Sequence, residues 1–108
     1  MNICILSGRI VKNATIRGAD PKALSFVVET VNASNGNERK DLVGCVLFNP
    51  TPELEAQLTK KGNGLYAELE GRVSSSSLKT NGEKRYNSDV IVRNWTFCIV
   101  KTNEPARA

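Results

Sequence analysis

The sequence lacks histidine altogether, and its three cysteines, Cys4, Cys45 and Cys98, form no CxxC pair. Clustered histidines and cysteines hold most zinc ions in proteins, so a metal centre of that kind is excluded. A phosphate-binding loop of the GxxxxGK type and an evident pair of catalytic carboxylates are also missing, so we expect no enzymatic activity, no cofactor and no small-molecule substrate. Each cysteine lies within an apolar run, which predicts three buried thiols in a reducing compartment.

Long apolar runs are missing as well. No stretch approaches the ~18 residues that a membrane-spanning helix needs. The first residues, MNICILSGRIV, have neither the basic start nor the small-residue cleavage site of a signal peptide. We therefore expect a soluble, cytoplasmic protein with no membrane partner.

Aromatic residues are scarce, at 6% of the 108 residues, whereas 15 Lys and Arg stand against 11 Asp and Glu. The net charge of +4 suits a polyanionic partner, although many basic proteins bind nothing acidic. A chain of this length forms one domain with a single core.

Runs of apolar, β-branched and alternating residues predict five β-strands. Gly8 interrupts the first of them, which indicates a bend or a close backbone approach, as at the corner of a barrel. A polar segment at 32–41 is expected to be a turn-forming connection. The predicted strands span residues 2–12, 23–31, 42–48, 64–73 and 89–100.

One helix is predicted over residues 49–62. Thr51 is suited to cap its N-terminus, and Pro52 to occupy the first helical position. Two lysines, Lys60 and Lys61, fall in the last turn, where cations are favourable, and Gly62 is expected to adopt a left-handed C-terminal cap.

The polar stretch at 74–88 contains Asn81-Gly82, a signature of the two-residue type I′ hairpin. It predicts a long hairpin that pairs residues near Leu78 with residues near Arg85. An all-antiparallel set of five strands, with one short helix between the third and fourth, is typical of the Greek-key OB-fold barrel, an all-β fold. We expect this domain to span residues 1–101, followed by a disordered tail at 102–108.

With these elements in order, residues 2–100 resemble the bacterial single-stranded DNA-binding protein family. The resemblance is carried by NICILSGRIVKNATIR, LSFVVET, CVLF, LTKKGNGLYAELEGRV and NGEKRYNSDVIV. It implies that the third and fourth strands line a nucleic-acid channel and that Gly71 lets the fourth bend. Leu42 and Leu78 stand where the family usually has tryptophan, and the family's acidic tail is missing. The resemblance therefore indicates either a chain from which the acidic tail was removed or a short, divergent member of phage or mobile-element type.

Binding a single strand requires flat side chains for unpaired bases to stack on. Phe48 aligns with the stacking phenylalanine of the family, although the last residue of an apolar strand could equally belong to the core. Tyr86 is a second candidate, with packing against Leu78 as the alternative. Trp95, in the final strand, is more typical of a core or an interface than of a base contact.

Binding a single strand also requires cations along a groove to contact the phosphates. Any one basic residue is more often a solvated surface group, but several here converge on the long hairpin. Lys60 and Lys61 are better explained by the end of the helix. The candidate phosphate contacts are Arg9, Lys12, Arg17, Arg72, Lys79, Lys84, Arg85 and Arg93.

The leading hypothesis is a nucleoid-associated protein that coats single-stranded DNA, without reading its sequence, in replication, recombination or repair. One alternative is a restart factor like primosomal replication protein B, and another is an OB-fold protein-interaction module without nucleic acid. The first strand is apolar on both faces, so something must cover it. The resemblance implies a homo-oligomer, with a tetramer as first choice and a dimer as second.

Overall fold

The computed structural model describes residues 1–80 and 83–99, with the backbone alone for residues 76–80 and 83–87. The five predicted strands are all present, and a short additional strand, β2, follows the first of them. The elements are β1 (Cys4–Ile10), β2 (Thr15–Arg17), β3 (Ala23–Ser34), β4 (Asn37–Phe48), α1 (Pro52–Lys61), β5 (Tyr66–Thr80) and β6 (Glu83–Cys98).

The five long strands close into a barrel. The neighbours run in the order β1, β5, β6, β4, β3, and β1 then returns to β3, with Arg9 opposite Glu29. This confirms the predicted five-stranded OB-fold barrel with one helix between its third and fourth strands. The prediction that all strands are antiparallel is wrong for β4 and β6, which run parallel with Cys45 opposite Val90. Periodicity reveals which residues are buried, but not which distant strands meet when the sheet closes.

Two glycines allow strands to approach each other closely. A Cβ on Gly8 would overlap the backbone carbonyl oxygen of Glu29, where β1 closes the barrel against β3. A Cβ on Gly71 would overlap the carbonyl oxygen of Ile91, next to a register shift between β5 and β6. The predicted close backbone approach at Gly8 is therefore confirmed, and Gly71, where the resemblance implied a bend, also lies against a neighbouring backbone.

The hairpin between β3 and β4 is longer than predicted. Ser34 pairs with Asn37, and the two turn residues, Asn35 and Gly36, have φ angles of 52° and 79°. Two successive positive φ angles are typical of a type I′ turn. The expectation of a turn-forming connection throughout 32–41 is therefore wrong except at Asn35-Gly36. The other polar residues continue both strands beyond the core, where neither face needs apolar side chains.

The hairpin between β5 and β6 follows the prediction along its arms. Leu78 lies opposite Arg85, and Thr80 lies opposite Glu83. Its predicted turn, Asn81-Gly82, lies outside the described residues.

Inside the barrel, alternate residues of the strands form a continuous apolar core. Phe26 meets Phe97 edge to face, with ring centroids 5.9 Å apart and planes at 75°. The helix contributes Leu54 and Leu58 to the same cluster. Burial of each such side chain favours folding by ~1.5–3 kcal/mol. The most completely buried side chains of this core are Ile10, Leu24, Val28, Cys45, Leu47 and Leu58.

The helix begins as predicted and ends differently. Thr51 Oγ1 accepts a hydrogen bond of 3.2 Å from the backbone N–H of Leu54, and Pro52 opens the helix. Gly62, in contrast, remains right-handed at φ −69°, and the left-handed residue is Gly64, at φ 97°. Gly62 is therefore the C-cap, as predicted, but it does not adopt the predicted left-handed conformation. No helix in the described part of the chain is long and apolar enough to cross a membrane.

The three cysteines differ in their burial. Cys45 lies in the core, Cys4 is half-buried and Cys98 is exposed. Burial raises the pKa of the Cys45 thiol from 9.0 to about 12, with smaller contributions from Cys4 and Asp89. The prediction of three buried thiols is wrong for Cys98, because its neighbour Phe97 takes the inward position at the end of β6.

Candidate nucleic-acid interface

The outer surface of β4 and β6 carries the residues that alternate with the core. Cys45 and Leu47 point inward on β4, as do Val90 and Val92 on β6. Successive strand residues face opposite sides of a sheet, so the residues between them face outward. We call this outward surface the β4–β6 face. It comprises Leu42, Gly44, Val46 and Phe48 of β4 and Asp89 and Ile91 of β6.

A groove of about 490 Å³ crosses this face. Val46 and Ile91 are neighbours in the parallel pair and form its apolar floor. Arg17 and Phe48 contribute to one end, since both lie across from Ala23 of β3. The whole lining, which we call the Phe48 groove, consists of Arg17, Gly18, Ala19, Asp20, Pro21, Ala23, Val46, Phe48, Asp89 and Ile91.

Phe48 is 45% exposed and does not belong to the core cluster. The alternative that it is a core residue is therefore wrong, because it falls on the outward side of β4. An exposed aromatic ring beside an apolar floor offers a surface on which an unpaired base can stack.

Two of the proposed phosphate contacts, Arg72 and Arg93, lie on neighbouring strands but differ in their surroundings. Arg72 is exposed on β5 and pairs with Ile91 of the groove floor. The Arg93 guanidinium instead donates a hydrogen bond to Glu70, with Nη2 3.1 Å from Oε2. Arg72 is therefore the better placed of the two to meet a phosphate.

Two candidate phosphate contacts near the first strand, Arg9 and Lys12, do not line the Phe48 groove. Arg9 lies at the barrel closure, between Tyr66 of β5 and Glu29 of β3. Lys12 is exposed in the connection between β1 and β2. Neither lines the Phe48 groove, so the structure brings only Arg17 from this part of the chain into it.

The remaining candidates lie on the long hairpin. Lys79 and Lys84 are directly opposite each other, and Ser77 pairs with Tyr86. The predicted pairing therefore places these residues and Arg85 on adjacent arms of β5 and β6. Their side chains lie outside the described part of the chain.

Several residues that line the groove were not among the sequence-based candidates. Val46, Ile91 and Asp89 line the groove without a strong signal of their own. Leu42, noted only as a replacement for tryptophan, is 67% exposed on the same face. Counting back in twos from Phe48 would have identified the β4 members, whereas those of β6 depend on its parallel pairing with β4.

A second groove, of about 460 Å³, has a different character. It brings Trp95 together with Ile5 and with two acidic residues, Glu68 and Glu70. Trp95 is 40% exposed and Ile5 is 79% exposed. Because the carboxylates repel phosphate, this surface favours the interface role of Trp95 over a base contact.

The edge of β1 is only partly paired. Along Cys4 to Gly8 it bonds to β5 on one side, and its pairing with β3 is confined to Arg9 and Ile10. The other edge of its first half is thus open to another strand.

A five-stranded OB-fold barrel that presents an aromatic ring and cations on one outer surface defines the class of single-strand nucleic-acid-binding modules. The model of the single-strand binding protein family matches residues 1–98. The chain belongs to that family.

Two curated relatives are longer than this chain, which spans about two thirds of each. It is 30% identical over 100 residues to a single-stranded DNA-binding protein of Clostridium perfringens, covering 90% of this chain and 65% of the relative. It is 28% identical over 109 residues to single-stranded DNA-binding protein 2 of Listeria monocytogenes, covering 95% of this chain and 67% of the relative.

Solved structures share the fold. A Plasmodium falciparum SSB in complex with ssDNA superposes with a TM-score of 0.77 at 14% identity, covering 94% of this chain and 96% of that one. A mitochondrial single-stranded DNA-binding protein of S. cerevisiae gives a TM-score of 0.66, also at 14% identity, covering 87% and 91%.

Proposed function

We propose that this protein binds single-stranded DNA with little regard to sequence and covers exposed strands during replication, recombination or repair. The observation that carries the proposal is Phe48, a half-exposed ring at the end of an apolar groove that also contains Arg17. A ring of this kind stacks on any unpaired base, whereas a duplex keeps its bases stacked on each other. The groove therefore favours single strands over duplex DNA.

Fluorescence anisotropy with one labelled oligonucleotide of about 30 nucleotides, single-stranded or annealed, tests this function. We expect clear binding of the single strand and much weaker binding of the duplex. No binding of either form would overturn the proposal in favour of a protein-interaction module. Equal binding of both forms would also contradict it, because stacking on Phe48 would then contribute nothing.

We also propose that the protein assembles as a homotetramer, with a dimer as the alternative. The open edge of β1 can pair with a second copy, and the exposed Ile3 and Ile5 would be covered in such an assembly. Several barrels on one strand would raise the overall affinity through effective concentration, which offsets the scarcity of aromatic residues.

Light scattering at micromolar concentration measures the assembly. We expect a mass near four times the 11.8 kDa of one chain. A mass near twice that value would support the dimer instead. A monomeric mass would overturn both, and an Ile5→Lys variant with the parent's mass would place the interface elsewhere.

A further inference from the structure

Asp89 is one of two acidic residues, with Asp20, that line the Phe48 groove together with Arg17. It lies on β6 beside Gly44 of β4, and it is half-buried. A Cβ on Gly44 would come within 2.6 Å of Asp89 Oδ1, so the carboxylate extends over the space that this glycine leaves open. Asp89 therefore points across the β4–β6 face.

The carboxylate has acceptor capacity to spare. Among the described residues, no ion pair and no side-chain hydrogen bond involves Asp89. Two carboxylate oxygens can together accept several hydrogen bonds, and they donate none when ionised. A ligand group that lies against this carboxylate is therefore favoured when it brings hydrogen-bond donors.

Phosphate cannot fill that role, because like charges repel. The cations on this surface lie elsewhere: Arg17 is at the Phe48 end, and Arg72 stands beside Ile91. Gly44 is four residues from Phe48 along β4, so Asp89 is about 13 Å from the Phe48 end of the groove. A strand whose phosphates meet the two arginines would turn a base, lying on Val46 and Ile91, toward Asp89.

The four bases differ in the donors they offer. Guanine presents N1–H and the 2-amino group side by side, a pair that matches the two oxygens of a carboxylate. Adenine and cytosine each offer one amino group next to an acceptor nitrogen. Thymine offers only N3–H, between two carbonyl oxygens that repel a carboxylate. Guanine is thus the base that Asp89 favours most, and thymine the one it favours least.

We propose that Asp89 reads one base of the bound strand and gives this protein a preference for guanine over thymine at that position. The inference rests on the proposed binding of single-stranded DNA and adds a local base preference to it. Stacking on Phe48 remains tolerant of sequence, so the preference is confined to one site.

Competition binding measures the preference. Oligothymidylates of about 15 nucleotides carry a single central guanine, hypoxanthine, adenine or thymine and compete with a labelled oligothymidylate. We expect guanine to improve affinity over thymine by about fivefold, as a half-exposed bidentate contact would give. Hypoxanthine lacks the 2-amino group and should lose most of that gain. Adenine should gain little, which separates hydrogen bonding from the better stacking of purines.

Two variants and one control complete the experiment. Asp89→Asn and Asp89→Ala should bind all four oligonucleotides equally and should bind the thymine oligonucleotide at least as well as the parent, because a negative charge is removed. Glu68→Gln removes the same charge from the second groove and should retain the guanine preference. Thermal unfolding establishes that each variant is folded.

The outcomes separate the two proposals. Strong binding without any difference between guanine and thymine would overturn the role of Asp89 and leave single-strand binding intact. A preference that survives in both Asp89 variants would also overturn it. Failure to bind any of the oligonucleotides would overturn the proposed function, and this inference with it.

Discussion

At the scale of single residues, the side of the strand on which a side chain falls decides what it can do. Leu47 and Phe48 are adjacent, yet Leu47 is 1% exposed in the core and Phe48 is 45% exposed beside the groove. Cys45 and Gly44 show the same contrast, because the glycine leaves room for the Asp89 carboxylate on the outer surface. Neither role follows from residue type alone.

Replacing Phe48 by alanine should weaken single-strand binding by ~1 kcal/mol or more, the lower range for the loss of one stacked base. The melting temperature should change little, since Phe48 is outside the core cluster. Titration by anisotropy, with thermal melts alongside, measures both effects. Tyr86→Ala should weaken binding to a similar extent.

Trp95→Ala is the matched control, because Trp95 is similarly exposed but lies in the second groove. It should leave the intrinsic affinity for a short oligonucleotide unchanged. If the Phe48 variant binds like the parent while remaining folded, the stacking assignment is wrong.

The cysteines give a second prediction at this scale. An alkylating reagent at mildly alkaline pH should modify Cys98 first and Cys45 only after unfolding, because the core excludes the reagent and disfavours the thiolate. Since burial raises the pKa of Cys45 from 9.0 to about 12, its contribution to stability is complete below pH 9 and is lost as the pH rises toward 12. Peptide mapping by mass spectrometry measures the order of labelling, and equal labelling of both would refute it.

At the scale of elements, the barrel depends on the places where strands approach most closely. β1 returns to β3 through only two residue pairs, directly after Gly8. The register shift in β5 and β6 occurs at Gly71, on the strand that carries Arg72 to the edge of the groove. Closure of the barrel and formation of the candidate site therefore depend on the same strands.

Gly8→Ala should destabilise the protein by about 1–3 kcal/mol, the usual cost of overpacking. The added methyl group would meet the backbone of Glu29, which cannot move aside as a flexible side chain can. Thermal or urea unfolding measures the loss. Ser7→Ala, at the neighbouring exposed position, should unfold like the parent, and equal stability of the two variants would contradict this account of the closure.

At the scale of the whole molecule, we expect charge to supply part of the affinity that the few aromatic residues do not. The net charge of +4 is modest, and some basic side chains are engaged within the protein. Lys22 pairs with Glu55 of the helix at 3.0 Å, and Arg39 pairs with Asp41 at 3.2 Å. The arginines that flank the Phe48 groove are therefore expected to provide much of the attraction for phosphate.

We expect affinity to fall steeply with salt, with a logarithmic slope of about −0.7 for each phosphate that is neutralised on a single strand. Arg72→Gln should make this slope shallower by about 0.7, because one phosphate contact is lost. Lys60→Gln removes an equal charge from the last turn of the helix and should leave the slope unchanged. A nearly flat slope in the parent would show that the basic residues do not contact phosphate.

The sequence by itself determined the five long strands, the helix and the fold class. Alternation of apolar residues and the cap at Thr51 each reflect local chemistry, so they can be recognised without the structure. The same alternation, applied to the residues around Phe48, predicts that its side chain faces outward. The hairpin at Asn35-Gly36, which the prediction missed, could also have been recognised from the sequence, because that dipeptide carries the same turn signature as Asn81-Gly82.

Only the tertiary structure decided which strands are neighbours. Asp89 and Ile91 face Gly44 and Val46 because β6 runs parallel to β4 across the closed barrel. That pairing joins segments more than forty residues apart through a few backbone hydrogen bonds, and no local pattern encodes it. The engagement of Arg93 by Glu70 and the position of Asp89 in the groove follow from the same closure, because side chains distant in sequence meet only when the sheet closes on itself.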